Sequence, residues 1–299
     1  MMNFKHVLFY KSSFLFIFNT LILRKKIPFM GGIAINDKCN LNCSYCSVSN
    51  RNIPDLTFNE IEKGLNILRN KGITNLYIEG GEPFMWKENG KNLDDVIQLA
   101  KNIGFKFITL YTNGTFPIET IADCVFVSLD GLKHINNIVR GKGFEKIILN
   151  IKNSNHKSIV INCTISSRNC DEIENFVEKI SEIKNLKGFF FYFYTSSQSN
   201  DYLSISFTKK QEIIKNILLL KKRGYKIFNS NAGLKSVYNN KWPRPNNMSY
   251  LFAENKIYKC CRMIGNDEAC RNCGFLGFTE IYHISRLNPG AVLTALNYL

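Results

Sequence analysis

Three closely spaced cysteines are the residues of this 299-residue chain best suited to metal chemistry: Cys39, Cys43 and Cys46. Three thiolates can hold three irons of a [4Fe–4S] cube and leave the fourth iron open to a small molecule, whereas a four-cysteine site closes the cluster into an electron carrier. Half of a zinc site is the alternative, but zinc sites usually add a second Cys or His pair roughly 12–20 residues later. The next cysteine is Cys124 and the next histidine is His134, so the spacing favours a cluster.

A glycine-rich run, Gly80–Pro83, is the second candidate for ligand chemistry. Two glycines allow a backbone to approach a ligand closely. The next residue, Glu82, offers a carboxylate to a cation. A strand-end turn with a solvated glutamate is the alternative. Three shorter polar runs follow, at 112–114, 128–131 and 140–141.

Short apolar runs alternate with amphipathic stretches from residue 31 onward, as expected of an α/β fold with a parallel sheet and right-handed connections. The predicted strands are 31–36, 75–79, 105–111, 124–129, 158–165 and 187–194. The predicted helices are 55–69, 93–102, 144–153, 170–183 and 209–223. The first four strands each end at one of the chemical motifs. Because parallel sheets bind ligands at their carboxyl edge, the motifs are expected to meet there.

The order of these motifs, and their positions on alternating predicted strands and helices, resemble those of the radical S-adenosylmethionine (SAM) superfamily over roughly residues 31–200. The resemblance implies a partial (β/α)6 TIM-type barrel with parallel strands, plus a small C-terminal cysteine-rich extension. We therefore expect an N-terminal apolar and basic segment at 1–30, a radical SAM core at 31–240 and the extension at 241–299.

The resemblance also implies a cofactor and a reaction. Cys39, Cys43 and Cys46 match the ligands of the SAM-binding [4Fe–4S] cluster, whose open iron chelates the amino and carboxylate groups of SAM. One electron from the cluster then breaks the sulfonium C–S bond and yields a 5′-deoxyadenosyl radical, which takes hydrogen from the substrate. The protein supplies position and excludes water.

Eight residues are implied to bind SAM: Tyr45, Gly80, Gly81, Glu82, Pro83, Asn113, Ser128 and Arg140. The guanidinium of Arg140 suits the SAM carboxylate, with a surface arginine as the alternative. Tyr45 is placed near the adenine or packs on its loop. Asn113 approaches SAM or substrate, or belongs to a plain turn, and Ser128 bonds the ribose or the carboxylate. Asp130 is expected to shape its loop.

Four more cysteines lie within 14 residues of the C-terminal extension: Cys260, Cys261, Cys270 and Cys273. They resemble a shortened SPASM/Twitch-type auxiliary cluster domain. Adjacent cysteines do not readily share one cluster, so Cys163 or Cys170 could complete the set. A structural zinc ion and free thiols are the alternatives.

The net charge and the cysteine content indicate which partners and which cellular compartment to expect. The net charge is +15, from 39 basic and 24 acidic residues, which fits an acidic peptide, anionic lipid or nucleic acid surface, or a compositional bias. Ten cysteines without a clean signal peptide indicate a reducing cytoplasm. Residues 7–23 are apolar but interrupted by polar side chains, which predicts either an interfacial helix at a membrane or a helix that caps the barrel.

The sequence thus predicts a radical SAM oxidoreductase or transferase that acts on a peptide or an isoprenoid lipid. Its expected partner is a small electron donor such as a flavodoxin or ferredoxin, and no nucleic acid is expected. The alternative is a non-catalytic iron–sulfur or zinc module. A structural metal would need neither Gly80–Pro83 nor Arg140, which counts against that alternative.

Overall fold

The computed structural model describes residues 28–196 and 201–296, and its central feature is a mostly parallel sheet. Six parallel strands are β1 Met30–Ala34, β2 Asn75–Glu79, β3 Phe107–Thr112, β4 Cys124–Ser128, β5 Ile159–Ile165 and β6 Leu186–Phe193. Each lies beside its neighbour in the chain. In the described residues β1 does not pair with β6, so the six strands do not close into a ring.

Helices connect these strands. They are α1 Phe58–Asn70, α2 Leu93–Ile103, α3 Lys133–Arg140, α4 Phe144–Asn153, α5 Ile173–Ile180, α6 Phe207–Lys222 and α7 Asn231–Tyr238. The predicted capping box of α1 is present, since Thr57 Oγ1 accepts from the Glu60 amide and the Glu60 carboxylate accepts from the Thr57 amide. The short helix α3 is absent from the sequence prediction, and it places Arg140 at its last turn.

The two faces of the sheet differ in their side chains. One face is fully buried in the main apolar core and carries residues such as Ile78, Leu110, Val127 and Ile161. The other face carries a chain of contacting aromatic rings that runs from β2 to β6, with ring centroids 5.0–5.9 Å apart: Tyr77, Tyr111, Phe126, Phe190 and Tyr192. An aromatic interior therefore lies below the carboxyl edge.

The C-terminal extension adds to the main sheet. Its elements are β7 Ser249–Ala253, β8 Lys256–Lys259, α8 Asp267–Arg271, α9 Leu276–Ile284 and α10 Pro289–Leu296. Strand β7 lies parallel to β1, and β8 pairs antiparallel with β7. The sequence pattern predicts no strand beyond residue 240, because both strands are short and β8 is largely exposed.

The predicted membrane contact falls mainly on residues that the structure does not describe. Within 28–196 and 201–296, no helix is long and apolar enough to cross a membrane. The expected interfacial or capping helix at 7–23 lies outside these ranges.

A buried carboxylate joins α9 to α7 and makes the stability depend on pH. Glu280 accepts a 2.9 Å hydrogen bond from the Ser230 amide at the start of α7, and burial raises its pKa from 4.5 to about 7. A raised pKa favours folding at low pH, and this contribution is lost as the pH rises from about 4.5 through 7. Glu280→Gln keeps an acceptor without the charge, so it should stabilise the protein at pH 8 by on the order of 3 kcal/mol and change little at pH 4.5.

Urea unfolding of the wild type and Glu280→Gln between pH 4.5 and 8 measures this effect. The two stability curves should diverge as the pH rises. Parallel curves across the range would contradict the assigned role of Glu280.

Candidate active site

The three N-terminal cysteines lie on the loop between β1 and α1, and hydrogen bonds to other residues hold this loop in place. The Cys39 amide donates to Asn50 Oδ1 at 2.9 Å, and the Ser44 amide donates to the Val139 carbonyl at 2.8 Å. All three cysteines are half-buried and free of disulfides. Burial raises the pKa of Cys43 to about 11, an effect that the charge of Arg140 opposes. The loop is thus preformed beside the end of α3.

The spacing of the thiols bears on the kind of metal group. Among the described residues, no three His, Cys, Asp or Glu side chains lie close enough to hold one metal ion together. A single zinc ion needs its ligands in one tetrahedral shell, whereas each cysteine of a [4Fe–4S] cube binds a different iron. The sequence spacing of Cys39, Cys43 and Cys46, with no second Cys or His pair nearby, remains the reason to expect a cluster here.

The two glycines of the Gly80–Pro83 run pack against the backbone that leads to the cysteine loop. A Cβ on Gly80 would lie 2.1 Å from Asn36 Oδ1, and one on Gly81 would lie 2.2 Å from the Lys38 carbonyl. The Gly81 amide donates to the Asn36 carbonyl at 2.9 Å. The glycines therefore allow the ends of β1 and β2 to approach closely, a role that the sequence analysis did not foresee.

Glu82, expected to face a ligand cation, lies fully buried and is bound by the end of β3. Its carboxylate accepts from the Thr112 hydroxyl at 2.8 Å, the Asn113 amide at 2.7 Å and the Phe84 amide at 3.2 Å. Burial raises its pKa, and these donors oppose the rise. Glu82 therefore links the Gly80–Pro83 run to the polar run at 112–114 through hydrogen bonds. Pro83 is also buried and begins a single 3-10 turn.

Tyr45, Asp130 and Arg140 form one buried network between the cysteine loop, β4 and α3. Arg140 Nη1 donates to Asp130 Oδ2 at 2.8 Å and also to the Tyr45 hydroxyl. The Tyr45 hydroxyl donates to the same carboxylate oxygen at 2.5 Å, and the other oxygen accepts from the Thr164 amide at 2.7 Å. Asp130 thus shapes its loop, as expected, and Arg140 is buried, so the surface-arginine alternative does not hold.

Three buried polar atoms near this network have no hydrogen-bond partner among the described residues: Arg140 Nε, Asn162 Oδ1 and Asn136 Nδ2, whose residue accepts from the Asp130 amide. Asn162 lies beside Ser128 in the β4–β5 register, at the carboxyl edge. A buried donor without a partner costs about 1–3 kcal/mol, so such a donor is a place where a ligand acceptor fits. Arg140 is the residue that the resemblance assigns to the SAM carboxylate, and its free donor is available for an acceptor. Asn162 was not among the predicted site residues.

All four C-terminal cysteines line one small cavity, together with Thr195 and Arg244. Cys163 and Cys170 do not line it. The Phe193 amide donates to the Gly274 carbonyl at 3.0 Å, which joins the cavity wall to the end of β6. The four tail cysteines therefore border the same cavity, which Cys163 and Cys170 do not.

The extension also reaches the carboxyl edge of β2. Arg262, next to Cys261, donates to Glu79 at the end of β2 at 2.8 Å, and the Phe275 ring contacts Tyr192. The tail cavity and the cysteine loop thus border the same side of the sheet. Arg262 was not among the residues predicted from the sequence, where its only signal is its position beside a cysteine.

A large cavity of about 1060 Å³ lies at the opposite edge, beside Phe107, Asp123 and Ser158 near the starts of β3, β4 and β5. None of the predicted site residues lines it. The candidate active site is therefore assigned to the carboxyl edge, where the motifs meet.

The comparisons with known proteins concern the family and the fold. Residues 33–180 match the model of the Radical SAM superfamily, so the chain carries a radical SAM domain, and this family implies a [4Fe–4S] cluster and SAM. A GTP 3′,8-cyclase of Peptoclostridium acidaminophilum is 32% identical over 164 residues, 48% of this chain and 49% of the relative. A GTP 3′,8-cyclase of Aquifex aeolicus is 31% identical over 162 residues, with 47% and 49% coverage. The chain thus spans about half the length of these curated relatives.

Solved structures of low sequence identity share the fold. SuiB of Streptococcus suis aligns with a TM-score of 0.62 at 18% identity, over 80% of this chain and 62% of SuiB. The structure of anSMEcpe with bound AdoMet aligns with a TM-score of 0.58 at 17% identity, over 91% and 84% of the two chains. The predicted α/β fold with a parallel, partial barrel is confirmed.

Proposed function

We propose that the chain is an enzyme that reductively cleaves SAM at a [4Fe–4S] cluster held by Cys39, Cys43 and Cys46. The observation that carries this proposal is the buried Arg140, which is fixed by Asp130 beside the cysteine loop and keeps one donor free. A non-catalytic metal module has no use for such a donor.

Each part of the site has a physical role in this proposal. The cluster and SAM, when bound, supply the one-electron cleavage that yields a 5′-deoxyadenosyl radical. Arg140 offers its free Nε–H to the SAM carboxylate, and Asp130 keeps the guanidinium oriented. Ser128 at the end of β4 and Asn162 beside it on β5 offer further polar atoms. The aromatic interior below excludes water from the reacting groups.

We propose a peptide as the substrate class. The support is the likeness in fold to SuiB, solved with the precursor peptide SuiA, and to anSMEcpe, solved with the Cp18Cys peptide. These alignments cover 84% and 91% of this chain. The lipid alternative depends mainly on residues 1–26, which the structure does not describe. A flavodoxin or ferredoxin is the proposed electron donor.

Product analysis tests the proposed reaction. The full chain, reconstituted anaerobically with iron and sulfide, is incubated with dithionite and SAM. The expected products are 5′-deoxyadenosine and methionine. Full reconstitution of a [4Fe–4S] cluster with neither product would favour the non-catalytic module.

A second iron–sulfur cluster is proposed in the C-terminal cavity, because all four tail cysteines line it. Replacing Cys270 and Cys273 with alanine is expected to lower the iron content from about eight to about four atoms per chain, since each [4Fe–4S] cube contains four irons. The first cluster should remain, because its ligands lie on another loop.

Metal analysis and EPR spectra of the double variant measure this change, and Cys170→Ala is the matched control because Cys170 lies outside the cavity. Unchanged iron together with lost zinc would favour a structural zinc ion. Unchanged iron and zinc would favour free thiols.

A further inference from the structure

The side-chain amide of Asn113 is held in one orientation at the end of β3. Its Oδ1 accepts from both the amide and the hydroxyl of Thr115, at 2.9 and 2.7 Å. Two donors on the oxygen fix which end of the amide group is which. The NH2 group therefore points away from Thr115. It donates to Asn40 Oδ1 at 2.8 Å and to Cys39 Sγ at 3.6 Å.

The backbone of Asn113 is fixed as well. Its amide donates to Glu82 Oε2 at 2.7 Å, and the preceding Thr112 hydroxyl donates to Glu82 Oε1 at 2.8 Å. Glu82 is fully buried and belongs to the segment that packs on the loop leading to Cys39. Contacts between the glycine-rich run and the end of β3 thus orient the side-chain amide of Asn113 toward Cys39 Sγ.

Hydrogen bonds to cysteine sulfurs change the electronic properties of an iron–sulfur cluster. They are among the factors that set its reduction potential. Reduction adds negative charge to the cluster and its thiolates, so a donor that stabilises negative charge on sulfur raises the potential. Cys39 Sγ also accepts from the Leu41 amide at 3.4 Å, but that donor is on its own loop. Asn113 is a side-chain donor to this sulfur from another part of the fold.

We propose that Asn113 is a positioning residue that donates a hydrogen bond to the Cys39 thiolate and raises the reduction potential of the first cluster. This role replaces the expected contact with SAM or substrate. It rests on the proposed function, because it requires a cluster on Cys39. Glu82 and Thr115 hold the amide in place.

The test is a redox titration of the reconstituted full chain without SAM, followed by EPR. Asn113→Ala removes the donor, and Asn113→Asp keeps the acceptor for Thr115 but loses the donor. Asn113→Ala should be harder to reduce, with a reduction equilibrium roughly tenfold less favourable, which corresponds to about 59 mV for one electron. Asn113→Asp should shift further in the same direction, because its carboxylate also adds negative charge beside the cluster. Asn66→Ala, at an exposed position on α1, is the control and should match the wild type.

A second arm covers the case in which the first variants lose their iron. Thr115→Ala leaves Asn113 in place but removes the hydroxyl that orients its amide, so a smaller shift in the same direction is expected. Wild-type reduction potentials in the cluster-loaded variants would overturn the proposal. If those variants also bound SAM more weakly, Asn113 would instead be a SAM-binding residue. A wild-type chain that takes up no [4Fe–4S] cluster would instead refute the proposed function.

Discussion

The triple variant Cys39/Cys43/Cys46→Ala is expected to lose the first cluster and all detectable 5′-deoxyadenosine. The thiolates are the only groups of this loop suited to iron, and alanine offers no ligand. SAM would then have no iron to bind, although Arg140 would remain in place. Iron analysis and product detection after incubation with dithionite and SAM measure the loss.

The triple variant should still fold, which makes the result interpretable. The loop is held by backbone bonds such as Ser44 to Val139, and by Asn50, which accepts from the Cys39 amide. None of these bonds uses a thiol. Circular dichroism should therefore match the wild type, and Cys170→Ala should retain activity. Undiminished SAM cleavage in the triple variant would exclude these cysteines as the ligands.

Asp130→Ala is expected to cost about 3–5 kcal/mol of stability, because it leaves the buried Arg140 charge without its partner. Asp130 is fully buried, and its carboxylate bonds Arg140, Tyr45 and the Thr164 amide. The same change should weaken SAM binding, since the guanidinium loses the group that orients it. Urea unfolding and SAM titration measure the two effects.

A double variant separates the unpaired charge from the lost packing. Asp130→Asn with Arg140→Leu removes both charges, so it should be less destabilised than Asp130→Ala. Glu145→Ala breaks the exposed pair with Lys133 and should change stability little. A wild-type urea midpoint for Asp130→Ala would show that the buried pair contributes nothing.

Local sequence signals predicted much of the fold. The six strands and the capping box at Thr57 and Glu60 follow from apolar patterning and local hydrogen bonding. The spacing of Cys39, Cys43 and Cys46 on one loop is equally local. Because parallel strands share a carboxyl edge, the order of the motifs predicted where they would meet.

Long-range partners could not be predicted in the same way. The sequence offers Glu82 as a candidate anion for a ligand, but the fold surrounds it with donors from the end of β3. The close approach of Gly80 to Asn36 depends on two separate strand ends. The pairing of β7 with β1 joins segments about 220 residues apart, which no local pattern specifies.

In the proposed reaction, three cysteines leave one iron of the first cluster open and SAM binds that iron. The most direct test is the EPR spectrum of the reduced first cluster in the Cys270/Cys273→Ala variant, recorded before and after SAM is added. We expect a marked change in the spectrum, because SAM would bind the open iron next to Arg140. A [4Fe–4S] spectrum that SAM leaves unchanged would contradict it.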